Sequence, residues 1–223
     1  MSKNKLQRYE EVRLLENVFE YTDFQNPGKT TPKGEWREKV FRNPRPILLE
    51  LACGKGDYAL NLAKKFPDQN FVGVDIKGAR LWKGATRAKE QGIDNLRFLR
   101  IFIDHLDQYF AAGEVDEIWI TFPDPYPKSK REKKRLTSPR FLELYRKVLK
   151  NGGDIHLKTD SDSLFHYSLS TVKEEKGEIL DRVDDIYRDR PGDELLSIKT
   201  YYEKKHLEAG KTIKYLRFRL AQD

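Results

Sequence analysis

The sequence predicts a doubly wound, Rossmann-like α/β fold whose last strand runs antiparallel. Three observations carry that expectation. Short apolar runs at residues 47–51, 70–74, 96–101, 117–122 and 154–159 alternate with stretches of helical periodicity, the pattern of right-handed βαβ units in a parallel sheet. The runs are nearly continuous, as strands covered on both faces require. The tail breaks the rhythm: residues 178–187 and 213–220 read as two further strands, and the last lacks room for a crossover helix, so it is expected to return antiparallel.

Taken in order, Leu6, Tyr9, Val12, Leu15 and Val18 recur at helical spacing and predict an amphipathic helix over 6–19. Residues 25–43 carry Pro27, Gly28, Pro32, Gly34 and several lysines, which reads as an irregular basic segment. Residues 1–43 are therefore expected to form an N-terminal extension, and 44–223 a single α/β domain. Pro44 and Pro46 punctuate the boundary before the first strand. Helices are predicted at 57–65, 77–91, 139–149 and 162–174, with a short one near 106–110 and a turn at Gly152–Gly153.

The chain has 223 residues, with 43 Lys and Arg against 36 Asp and Glu, a formal net charge of +7. That length suits one ordinary α/β domain, and the positive balance suits a polyanion such as nucleic acid. A single cysteine, Cys53, excludes an internal disulfide and a multi-cysteine zinc site; it is expected to be a packing residue in a reducing compartment. The N-terminal residues lack an apolar signal core, and no apolar run approaches the roughly 20 residues a membrane span needs. The expectation is a cytoplasmic protein with neither membrane nor metal, either monomer or homodimer.

The stretch 118–136, IWITFPDPYPKSKREKKRL, organises the functional reading. It begins as a buried strand and is stopped by Pro123, Pro125 and Pro127, which remove backbone donors and predict a stiff loop at the strand's C-terminal edge. Ligands bind at that edge in open α/β sheets. The loop presents Asp124 beside Tyr126 and leads into Lys128, Lys130, Arg131, Lys133, Lys134 and Arg135. An acid, a ring for stacking and a polycation suit an enzyme acting on a nucleic-acid base.

The first strand leads into Glu50-Leu51-Ala52-Cys53-Gly54-Lys55-Gly56 and a helix. Gly54-x-Gly56-x-x-Ala59, with Asp75 about 20 residues on, satisfies a relaxed dinucleotide fingerprint. Glu50, however, would repel a pyrophosphate and attract the ammonium of a methionine moiety. Asp104 adds an acid able to bond an adenine amino group. Glu50, Asp75, Asp104 and Asp124, at the ends of successive strands, together suit a cationic sulfonium ligand; the alternative for any one of them alone is a cap on the following helix.

Together these motifs resemble the bacterial tRNA (guanine-N7)-methyltransferases, over roughly residues 47–220. The specific parts are Phe122-Pro123-Asp124-Pro125-Tyr126-Pro127-Lys128 with the basic run and Arg135-Leu136-Thr137 behind it, then Thr200-Tyr201-Tyr202-Glu203 followed by Gly210 and Ile213. The resemblance implies the seven-stranded S-adenosyl-L-methionine-dependent methyltransferase fold over 44–223. It implies transfer of a methyl group to N7 of guanine 46 in the tRNA variable loop, a tRNA (guanine(46)-N(7))-methyltransferase reaction. It places cofactor acids at Glu50, Asp75, Asp104 and Asp124 and substrate contacts at Lys128, Asp160, Thr200, Tyr201, Tyr202 and Glu203. RNA contacts fall on Lys130, Arg131, Lys133, Lys134 and Arg135. This chain departs from the family at Ala52, where a glycine is usual, at Asp75, where Glu is common, and at Tyr126, where Trp is usual; Ser129 and Glu132 interrupt the basic run.

Guanine N7 has an in-plane lone pair and no proton, so the reaction needs positioning rather than a base. Asp124 is expected to accept from guanine N1–H and N2–H, with Lys128 on O6 or a phosphate. Tyr126 or Tyr202 is available to stack on a base turned outward. Three alternatives stand beside this reading: methylation of an exocyclic amino group, since Asp-Pro-x-Pro resembles Asp-Pro-Pro-Tyr loops; a nicotinamide-dependent oxidoreductase using Gly54, Gly56 and Asp75; and a non-catalytic RNA-binding protein.

Overall fold

A computed structural model of the chain describes residues 4–20 and 32–221. Eight strands form one sheet: β1 (Val18–Glu20), β2 (Ile47–Leu51), β3 (Asn70–Val74), β4 (Leu96–Arg100), β5 (Val115–Thr121), β6 (Leu149–Thr159), β7 (Glu178–Val183) and β8 (Lys214–Arg219). Their order is β1-β4-β3-β2-β5-β6-β8-β7. The first six lie parallel, and β8 inserts antiparallel between β6 and β7. The helices are α1 (Lys5–Glu11), α2 (Asp57–Lys65), α3 (Gly78–Glu90), α4 (Pro139–Val148), α5 (Asp162–Glu174), α6 (Ile186–Asp189) and α7 (Tyr201–Glu208).

The continuous apolar runs have a direct structural meaning. Along β2, Ile47, Leu49 and Leu51 enter one core cluster while Leu48 enters the other. On β5, Ile118 and Ile120 point to the first cluster and Trp119 to the second. The period of two thus feeds two cores, one on each face of the sheet, and both must be apolar. The sheet reverses its winding between β2 and β5, which opens a crevice at their C-terminal ends.

The N-terminal part departs from expectation. The predicted helix over 6–19 ends early: a 3₁₀ turn at Val12–Leu14 follows α1, Leu15 turns extended (φ −81°, ψ 121°), and Val18–Glu20 pairs with Phe98–Arg100 as an eighth strand where seven were expected. Leu15 and Val18 satisfy helix and strand periods equally over so short a run. Of the irregular segment expected over 25–43, residues 25–31 lie outside the described residues. Trp36–Phe41 forms a π-helical turn, and Trp36 is fully buried, stacked on Phe110 at 4.9 Å and donating to Tyr109 O at 2.7 Å. The predicted turn at Gly152–Gly153 is instead a bulge within β6, with Gly152 at φ +75° and a register shift opposite β5.

Candidate active site at the β2–β5 crevice

A cavity of about 780 Å³ opens at the C-terminal ends of β2 and β5. Its floor is the loop between β2 and α2, which three left-handed residues, Ala52 (φ +56°), Gly54 (φ +58°) and Gly56 (φ +63°), turn back on itself. Two carboxylates set that loop. Asp75 accepts from Gly54 N at 2.9 Å and Lys77 N at 2.8 Å, tying the glycine loop to the end of β3. Glu50 accepts from Ala59 N at 2.9 Å and from the Thr121 hydroxyl at 2.6 Å. Glu50 thereby satisfies one of the free amides in the first turn of α2 and joins it to the end of β5. Burial pushes the Glu50 carboxyl up to about 8, against the lowering effect of the Thr121 hydroxyl and the Ala59 amide. Burial also holds the Cys53 thiol well above its ordinary value, as suits a packing residue rather than a nucleophile.

The opposite wall is the proline loop. Phe122 (φ +49°) and Tyr126 (φ +40°) both hold left-handed backbone that non-glycine residues adopt only under constraint. Between them Asp124 is exposed, lines the cavity, and makes no hydrogen bond or ion pair with the described residues. A third wall is the N-terminal turn of α7. There Thr200 caps the helix by accepting from Glu203 N at 3.1 Å, and Tyr201 N donates to Asp57 Oδ2 at 3.1 Å, docking α7 on α2. Tyr201 and Tyr202 remain 42% and 40% exposed and face cations: Lys55 Nζ lies 3.6 Å from the Tyr201 ring and the Arg80 guanidinium 5.7 Å from Tyr202.

The crevice brings together Glu50, Gly54, Asp75, Asp104, Asp124 and Asp160, with Thr200, Tyr201 and Tyr202. Gly56 lies just behind its wall, its Cα facing the Phe98 ring. Asp104 pairs with Arg140 at 2.5 Å, and Asp160 with Lys211 at 2.6 Å. Three other expected site residues stand elsewhere. Glu203 is fully buried beneath α7, where it pairs with Lys158 at 2.8 Å and does not line the cavity. Lys128 is exposed outside the cavity; Lys134, from the same basic segment, lines it instead. Arg135, expected on the RNA-facing surface with Lys130, Arg131 and Lys133, is buried against the proline loop.

Several wall residues escaped the sequence reading. Phe102 is 46% exposed at the rim, and Arg140 and His206 complete the walls. Phe102 follows the apolar run 96–101, and an aromatic just past a buried strand is the available signal. Among the described residues, no group of three or more His, Cys, Asp and Glu is placed to hold a metal ion, and no helix is long and apolar enough to cross a membrane.

A reversing parallel sheet with β8 inserted antiparallel between β6 and β7, and buried Glu50 and Asp75 at its switch point, fit the methyltransferase class of α/β proteins. The buried Glu50 and Asp75 and the roomy cavity fit S-adenosyl-L-methionine, the cofactor of that class. Comparisons agree. A family model described as "Putative methyltransferase" matches residues 44–216. The tRNA (guanine-N(7)-)-methyltransferase of Christiangramia forsetii is 48% identical over 98% of this chain and 99% of its own length; that of Bacteroides thetaiotaomicron is 45% identical over 100% and 88%. Among solved structures, the 16S rRNA methyltransferase KamB superposes with a TM-score of 0.65 at 14% identity, over 86% of this chain and 95% of that one, a likeness of fold. The chain belongs to the tRNA (guanine-N(7)-)-methyltransferase family.

Proposed function

We propose that this chain transfers a methyl group from S-adenosyl-L-methionine to N7 of guanine 46 in the variable loop of tRNA. One observation supports this most: Asp124 stands unpaired at the mouth of the acid-floored cavity, between strained Phe122 and Tyr126, with a solvent-exposed basic helix directly behind it. Bound in the crevice, the cofactor supplies an electrophilic methyl on a cationic sulfur. Glu50 and Asp75 draw the cationic and hydroxyl-bearing parts of that molecule to the floor. Asp124 accepts from N1–H and N2–H of the entering base, which selects guanine and favours the positive charge that arrives as N7 forms its new bond to carbon and the sulfur–carbon bond breaks. No residue has to remove a proton beforehand, so the walls contribute orientation and exclusion of water.

Lys130, Arg131, Lys133 and Lys134 form an exposed 3₁₀ segment, Ser129–Lys134, suited to backbone phosphates, and Lys128 extends it. Tyr126 and Tyr202 line the cavity, and in this reading their rings stack on a base turned out of the tRNA. The test is transfer of labelled methyl to unmodified tRNA, with nucleoside analysis and aniline cleavage to locate the product. A single 7-methylguanosine in the variable loop supports the reading; label on an exocyclic amino group would overturn it in favour of an amino methyltransferase.

A further inference from the structure

The segment Lys128–Arg135 reads in sequence as one polycation, yet its last member behaves differently from the rest. Lys128, Lys130, Arg131, Lys133 and Lys134 are exposed, whereas Arg135 is only 5% exposed. Its guanidinium turns back toward the proline loop. Nε donates to Pro125 O at 3.2 Å and lies 3.3 Å from Tyr126 O, and Nη2 donates to Tyr126 O at 3.0 Å. The guanidinium carbon sits 4.2 Å from the centre of the Tyr167 ring on α5, and Nη1 is 3.7 Å from Glu132. The residues that follow are anchored deeply: Leu136 O accepts from the Tyr145 hydroxyl at 2.9 Å, and the Thr137 hydroxyl meets Ser168 at 2.7 Å.

On this geometry we infer that Arg135 is a positioning residue: it clamps the Pro125–Tyr126 backbone to the core and so fixes where Asp124 stands, rather than contacting RNA. The inference rests on the functional reading above. A planar fork can serve two adjacent carbonyls while stacking flat on a ring, which an ammonium cannot do. Without it, the Pro125 and Tyr126 carbonyls lose their charged donor, and the left-handed backbone of Tyr126 loses that restraint. The clamp also makes the basic segment and the acid loop one unit, joined through the same buried residue. Phosphates captured on Lys130 to Lys134 are thereby held in register with the cavity.

The deciding variant is Arg135→Lys, which keeps the charge and removes the fork. Three readouts are taken: single-turnover methylation at saturating tRNA and cofactor, tRNA affinity across a salt series, and hydrogen exchange of the peptide spanning 122–131. The expected result is a rate lower by about 10- to 100-fold with tRNA affinity and its salt slope unchanged. Exchange in that peptide is expected to quicken whatever reaction the enzyme catalyses. Lys133→Ala is the comparison, with a slope shallower by roughly 0.7 to 0.9 if it meets one phosphate. A wild-type rate and unchanged exchange in Arg135→Lys would overturn the inference. So would a salt slope in Arg135→Ala that falls as in Lys133→Ala, or loss of the whole folding transition in Arg135→Lys, which would make the residue one of stability alone. Absence of 7-methylguanosine from the wild-type reaction would instead count against the function, leaving the exchange result to judge the clamp.

Discussion

Lys158 on β6 and Glu203 on α7 are both fully buried and joined by an ion pair, with Lys158 Nζ 2.8 Å from one carboxylate oxygen and 2.9 Å from the other. The Tyr187 hydroxyl donates to Glu203 at 2.8 Å, and Lys158 also donates to Leu196 O at 2.6 Å and Ile198 O at 3.0 Å. The pair is thus held by the segment leading into α7 and by Tyr187 of α6. The ion pair pins Tyr201 and Tyr202 to the sheet from below while leaving their rings in the cavity.

Removing one partner leaves the other buried and unpaired. Glu203→Ala is therefore expected to lower stability by about 3–5 kcal/mol. Replacing both, as Lys158→Met with Glu203→Leu, is expected to recover part of that loss, because no uncompensated charge remains although Tyr187 and the Leu196 and Ile198 carbonyls lose a partner. Denaturant unfolding of the two variants checks this. A recovered fold with poor activity would also separate the anchoring of α7 from stability.

Two glycines of the floor loop make contrasting tests. Both hold left-handed backbone, which costs a side-chain-bearing residue roughly 1–2 kcal/mol. A Cβ at Gly54 meets nothing within 4 Å, so Gly54→Ala should cost about that strain alone. A Cβ at Gly56 would lie 2.5 Å from Cε1 of Phe98, a fully buried ring. Gly56→Ala must displace it, adding roughly 1–3 kcal/mol of overpacking and shifting the start of α2. Thermal unfolding together with cofactor titration separates the two: Gly56→Ala should lose far more of both stability and affinity.

Glu50 predicts a proton effect. With its carboxyl pushed up to about 8, the side chain is mostly neutral at pH 7 in the cofactor-free protein. Because the folded value lies above that of the unfolded chain, the native state holds the extra proton between the two, so this group's contribution to stability falls as pH rises from about 4.5 to about 8. A cation bound beside it favours the charged form and should expel the proton. Calorimetry of S-adenosyl-L-methionine binding at pH 7 in buffers of different ionisation enthalpy should then show release of up to about one proton, lost in Glu50→Gln.

Much of this architecture was legible in the sequence because it rests on burial. The bounds of β2, β3, α2 and α5 follow from apolar runs stopped by proline, glycine or polar caps, and both cores draw on the same period of two. What was not legible depends on partners distant in the chain. Nothing in a basic run marks Arg135 as the member that turns inward; Tyr167, which it covers, lies on another helix. Trp36 sits in a run of charged residues, and it is packing against Phe19, Phe41 and Phe110, with its indole donating to Tyr109 O, that makes it core. Glu203 carries a readable signal, since Thr200-x-x-Glu203 is a capping box that opens α7, whereas the family resemblance implies a substrate contact at that position.

Asp124 allows the most direct test of the proposed chemistry. It is exposed and unpaired within the described residues, so Asp124→Ala should leave the unfolding transition unchanged. Its two oxygens are proposed to accept from N1–H and N2–H of the base. Asparagine presents one acceptor and one donor to two donors, so both Asp124→Ala and Asp124→Asn should lower the single-turnover rate by about 100-fold, with a much smaller effect on cofactor binding. The contact itself can be isolated by replacing the target guanosine with inosine, which lacks the 2-amino group. Wild-type enzyme should slow on that substrate, whereas Asp124→Ala, having no carboxylate to satisfy, should treat guanosine and inosine alike. The double-mutant cycle then measures the coupling between this carboxylate and that amino group. Equal sensitivity to inosine in wild type and variant would show that Asp124 acts on the reaction by some route other than holding the guanine edge.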